Sequence, residues 1–206
     1  MSTTSPRLSV SLAGLIAVLA TAAAAAAQPG PGPRPGPPPR HGWELAAGVN
    51  GGEINCDSQD DLCDGVTEAG GLYLAATYMF SPRLGVTAET WPMVHSEDLY
   101  SFTHVVSTIG VTWRPVPVLA VRGGLGSAYA RLQADVVGLD RRTENAPAVL
   151  LGAALDVVRA PRWALDVHAR VGAGFYGNDA DGDGEPDVVA RNVGLGLAFT
   201  YLLSAR

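Results

Sequence analysis

Along residues 41–206 apolar and small or polar positions alternate with a period of two, in segments of about ten residues, the code of a sheet with one apolar face. Eight such segments can be read. The first, Trp43 to Gly51, sets Trp43, Leu45, Ala47 and Val49 against Glu44, Ala46, Gly48 and Asn50. The second is Gly71 to Phe80, with Leu72, Leu74, Ala76, Tyr78 and Phe80 on the apolar parity. Leu84 to Met93 opposes Leu84, Val86 and Ala88 to Gly85, Thr87 and Glu89. Phe102 to Arg114 opposes Val105, Ile109, Val111 and Trp113 to His104, Thr108, Gly110 and Thr112. The remaining four are Val118 to Leu132, Ala148 to Val158, Trp163 to Tyr176 and Val188 to Leu203.

The polarity of the two faces decides between architectures. A soluble barrel turns large apolar residues inward and charges outward. Here the polar parity is Gly, Ala and a few charges of both signs, suited to a narrow, filled interior. The apolar parity then belongs in lipid. The connections alternate in length, as outer-membrane barrels require. Ser81-Pro82-Arg83, Pro115-Val116-Pro117 and Ala160-Pro161-Arg162 are short, whereas 51–70, 133–147 and 177–187 are long. Each short turn holds a proline, which needs no N–H partner there. Aromatic residues collect at membrane interfaces. Trp43, Tyr78, Phe80, Trp113, Trp163 and Tyr201 fall at the short-turn ends on the apolar parity, and Tyr129 and Phe175 at the opposite ends. Tyr73 and Trp91 have inward parity and break the rule.

The N-terminus fits export. Arg7 precedes the largely apolar run Leu8 to Ala27, which closes on Ala25-Ala26-Ala27. A positive start, a short apolar core and an A-x-A end mark a secretory signal peptide, with cleavage expected after Ala27. A transmembrane anchor fits less well, since Thr21 interrupts the run and 22–27 is pure alanine. Residues 28–40 are mostly Pro and Gly and read as an extended linker. The expected organisation is thus signal peptide 1–27, linker 28–40 and barrel 41–206.

Composition removes other classes. A net charge of −6 argues against nucleic acid, which needs a basic footprint. The 25 glycines fall inside apolar stretches, as in Val193-Gly194-Leu195-Gly196-Leu197, where a helix would be weakened. No stretch after residue 27 is long and apolar enough for a spanning helix, so membrane entry requires a closed barrel.

Candidate chemistry is sparse. Cys56 and Cys63 lie in one polar stretch and, after export, read as a disulfide closing a small loop. Glu44, Glu89, His104, Arg122, Asp156, Asp166, His168 and Arg170 share the inward parity. They read as a paired interior network, which a low dielectric demands, with a narrow polar pathway or gate as the functional alternative. Asp179, Asp181 and Asp183 occupy positions 1, 3 and 5 of a calcium-type loop, with Gly184 at position 6 and Asp187 at position 9. Ala190 stands where the bidentate Glu belongs, so calcium competes with a plain solvated acidic loop. No other cofactor is expected. His95-Ser96-Glu97 is a poor nucleophile constellation, because adjacent residues in an extended chain point apart. His104 and Ser107 fall on opposite faces of one strand.

Together these segments, turns and girdles resemble the small outer-membrane barrels of Gram-negative bacteria, the OmpA transmembrane-domain and OmpX type. The resemblance implies an all-β, eight-stranded antiparallel up-and-down barrel in the outer membrane, surrounded by outer-membrane lipid and inserted by the assembly machinery. It implies structural, adhesive or envelope-integrity roles, although a few members of the group are lipid-modifying enzymes; no enzymatic activity is expected here. Members of the group usually end on an aromatic residue, whereas here Tyr201 lies five residues before Arg206. A monomer with an unspecified extracellular partner is expected. The alternatives are a lipid-A-modifying barrel enzyme, which requires a Ser, His and acid triad at the outer rim, and a soluble periplasmic lipocalin-like ligand binder.

Overall fold

The computed structural model describes residues 40–58, 67–97, 100–134, 139–177 and 188–204. They form nine strands: β1 Gly42–Ser58, β2 Thr67–Met79, β3 Leu84–Ser96, β4 Tyr100–Val116, β5 Leu119–Ala134, β6 Leu139–Arg142, β7 Ala146–Arg159, β8 Trp163–Tyr176 and β9 Val188–Ser204. Every pairing is antiparallel, and eight strands close in the order β1-β2-β3-β4-β5-β7-β8-β9, with β9 returning to β1. The short β6 pairs only with the end of β5, Leu139 opposite Ala134 and Arg142 opposite Arg131. The stretch 133–147, read from the sequence as a loop, therefore contains a hairpin extension, and β7 starts at Ala146.

The register sets the barrel's width. From Glu44 the ladder passes to Thr77, Thr87, Gly110, Gly124, Leu150, Gly172 and Asn192. It returns to β1 at Ile54, ten residues beyond its start. With standard strand spacing, that stagger tilts the strands by about 40° and gives a radius of about 8 Å. Each residue then climbs roughly 2.5 Å along the barrel axis.

The outward face is apolar. Leu125, Ile109 and Leu151 are 72%, 68% and 65% exposed, a waste of apolar surface in water. Trp43 and Tyr78 meet at 5.3 Å and Trp163 and Phe199 at 5.8 Å, forming an aromatic band at the short-turn end. The turns there are tight: Ser81 N–H donates to Leu84 O at 3.2 Å, and Ala160 N–H to Trp163 O at 2.8 Å. Tyr73 and Trp91 are fully buried inside the barrel, as their parity required. Val105 keeps outward parity yet is covered, lying between Pro92 and Tyr129 in the register. At the other end β1 and β2 continue past the expected limits, to Ser58 and from Thr67.

Candidate functional site: the filled interior

Among the described residues the interior gathers most of the buried ionisable groups, and it is layered. At the short-turn end four charges meet. Arg40 donates from Nη2 to Asp156 Oδ2 at 2.7 Å and lies 3.5 Å from Glu44 Oε1. Arg114 donates to Glu44 Oε2 at 3.0 Å and reaches Asp156 Oδ2 at 3.9 Å. All four side chains are nearly fully buried, and the two guanidiniums offset the two carboxylates. Lone buried charge is costly, so this neutrality is what permits the cluster. Arg40 closes the stretch that reads in the sequence as a linker. Its role comes from the stagger of the barrel, which brings the start of β1 level with Asp156 near the end of β7 across the interior, a match no local pattern encodes. Arg114 shares parity with Thr112 and Thr108 and was legible by that signal.

Above them Thr77 and Thr87 hydroxyls share a hydrogen bond at 2.9 Å, and Thr87 bonds Thr112 in turn. The middle layer centres on Tyr73. Arg122 donates to its hydroxyl, and the Arg170 guanidinium stacks 3.3 Å from the ring centroid. Arg170 faces Glu89 at 3.8 Å; Asp166 accepts from Thr200 at 3.0 Å and lies 3.7 Å from His168. Two arginines again stand against two carboxylates.

The upper layer is of another kind. Trp91, Met93, Val106, Leu150 and Ile54 form an apolar cluster, with Phe102, Cys56 and Tyr176 packed against it. One polar chain runs through it. His104 Nδ1 lies 2.6 Å from Asn192 Oδ1, which can only accept, so Nδ1 carries the proton. Nε2 then accepts from the Tyr176 hydroxyl at 2.9 Å. Large apolar inward residues run against the small-or-polar interior code, which is why the sequence did not show this layer.

The eight inward residues named from the sequence are thus all interior, in three groups rather than one network. They bring no catalytic constellation together. His95 donates from Nδ1 to Glu68 O at 2.6 Å and faces Glu97 at 3.4 Å. Among the described residues no group of three or more His, Cys, Asp or Glu could hold a metal. Cys63, Asp179, Asp181, Asp183 and Asp187 lie outside the described residues, so the disulfide and calcium expectations do too. All 14 basic residues of the chain are arginine. The less strongly hydrated guanidinium with its flat fork suits buried pairs and aromatic stacking, and both uses occur here.

No protein-family model and no curated protein matches the chain. Solved structures do. The attachment invasion locus protein Ail of Yersinia pestis is similar over 78% of this chain and 99% of its own, at 16% identity and a TM-score of 0.52. Neisserial surface protein A matches over 76% and 95%, at 11% identity and a TM-score of 0.51. At such identity the likeness is one of fold. The chain has the fold of the small outer-membrane β-barrels, and its apolar exterior and charged interior have the polarity of a barrel in lipid.

Proposed function

We propose that this protein is a non-enzymatic outer-membrane barrel that holds its long connections as a contact surface outside the cell. The observation that supports this most directly is the overrun of the strands. β1 continues from Ile54, level with the outer aromatic residues, to Ser58, a further rise of about 10 Å. The β5–β6 hairpin extends the same side, with Arg131 donating to Asp140 at 2.8 Å and Arg142 lying 4.1 Å from the Tyr129 centroid. Such strands make a stiff stand, and loops on a rigid scaffold are where contacts are made. In this reading the Cys56–Cys63 disulfide pins one loop, and calcium on Asp179, Asp181, Asp183 and Asp187 stiffens another. The filled interior argues against transport.

The test begins with washed outer membranes. A faster-migrating band in unboiled gel samples marks the closed barrel. Cells bearing the wild-type protein and a variant with residues 59–66 and 178–187 replaced by Gly-Ser are then compared for adhesion to immobilised matrix. Retained heat-modifiability with lost adhesion supports the reading. Undiminished adhesion, or ion conductance of the wild type in planar bilayers, overturns it.

A further inference from the structure

At the short-turn mouth, outside the ion cluster, lies a cavity of about 210 Å³ lined by Arg40, Arg83, Arg114, Arg159 and the prolines of the β2–β3 and β4–β5 turns. We propose that this cavity is an oxyanion site that takes a phosphate group. Four guanidiniums line it and no carboxylate does. Among the described residues, Glu44 and Asp156 pair with Arg40 and Arg114, and neither carboxylate lines the cavity.

Two observations beyond charge point to a ligand. Arg114 is only 3% exposed; its Nη1 faces Asp156 Oδ2 at 3.9 Å, while its Nε and the Nε of buried Arg40 have no hydrogen-bond partner among the described residues. Buried donors of this kind are costly unless an acceptor reaches them. The wall is also built to hold shape. Arg114 N–H donates to Arg83 O at 2.7 Å, and Arg159 Nη1 donates to Pro117 O at 3.0 Å. Prolines carry no N–H, so the guanidiniums are the principal donors offered to the cavity.

The chemistry favours phosphate over a carboxylate. One fork serves a carboxylate, whereas a tetrahedral oxyanion accepts from several forks arriving in different directions. The site adjoins the aromatic band, since Trp113 precedes Arg114 in β4. A phospholipid headgroup of the inner leaflet and free phosphate both present the required group at that level.

The experiment uses the exported chain purified from outer membranes in neutral detergent. Inorganic phosphate is titrated calorimetrically at low ionic strength. In parallel, nanodiscs of phosphatidylcholine with and without phosphatidylglycerol are compared by native mass spectrometry for retained lipid. The variant is Arg83→Gln with Arg159→Gln, which leaves the buried Arg40–Glu44–Arg114–Asp156 cluster in place; its fold is checked by heat-modifiability. Binding of inorganic phosphate that weakens by about tenfold or more in the variant supports a site open to free phosphate. Phosphatidylglycerol retention lost in the variant, without phosphate binding, supports the headgroup source. Absence of both, or binding unchanged in the folded variant, overturns the proposal.

Discussion

Leu125 is the sharpest probe of the barrel's surroundings. It is 72% exposed and lies on β5, six residues above Leu119 at the short-turn end. At roughly 2.5 Å of rise per residue it sits about 15 Å into a lipid-facing band about 25 Å tall. Leu125→Arg therefore puts a guanidinium near the midplane, at an expected cost of about 2–4 kcal/mol. Leu84, 40% exposed and the first residue of β3, lies at the interface, and Leu84→Arg is expected to cost about 0–1 kcal/mol. The assay is reversible denaturant unfolding of the two variants and the wild type in phosphatidylcholine vesicles. In water both changes would replace exposed leucine by arginine at a cost within about 0.5 kcal/mol. Equal effects of the two substitutions would refute the membrane placement, whatever the fold.

Three further outcomes follow from the interior and the rim. Glu44→Gln leaves Arg40 and Arg114 short of a carboxylate in a buried cluster, and unfolding in vesicles should show a loss of about 3–5 kcal/mol; a loss under about 1 kcal/mol would mean water reaches the cluster. A Cβ added at Gly196 would stand 2.1 Å from Val49 O and 2.7 Å from His168 Nε2, so Gly196→Ala should cost about 1–3 kcal/mol and reduce the heat-shifted fraction on gels. The hydrogen bond from Arg131 holds the Asp140 carboxyl below the ordinary carboxylate range. An NMR titration should place its midpoint low and return it upward in Arg131→Gln. The pair's contribution is present above the ordinary value and fades as pH falls through the lowered one; an unmoved midpoint would show the pair is not formed.

The strands were legible because lipid imposes a strict two-residue alternation, and β8 matched residue for residue, Trp163–Tyr176. Above the lipid that constraint ends. Beyond Gly51 the alternation itself lapses, with Glu53 on the outward parity and Ile54 on the inward, so the upper part of β1 was invisible to parity, as was β6. The interior charges were legible as a set, because parity alone assigns them to one face. Their partition into a base cluster and a Tyr73 layer was not, since it depends on the ten-residue stagger that brings Glu44, Arg114 and Asp156 to one height. Arg40 lay within a proline-rich stretch whose composition resembles a tether throughout.

The absence of lysine has a consequence for proteolysis. Trypsin can cut this chain only after arginine, and the interior arginines are shielded by the wall that surrounds them. Of the exposed ones, Arg83 and Arg162 sit in the short turns, while Arg141 and Arg142 sit on the β6 hairpin at the opposite end. Protease added to intact cells and protease admitted to the periplasm therefore release different fragments, so the cleavage pattern itself reports which way the barrel points.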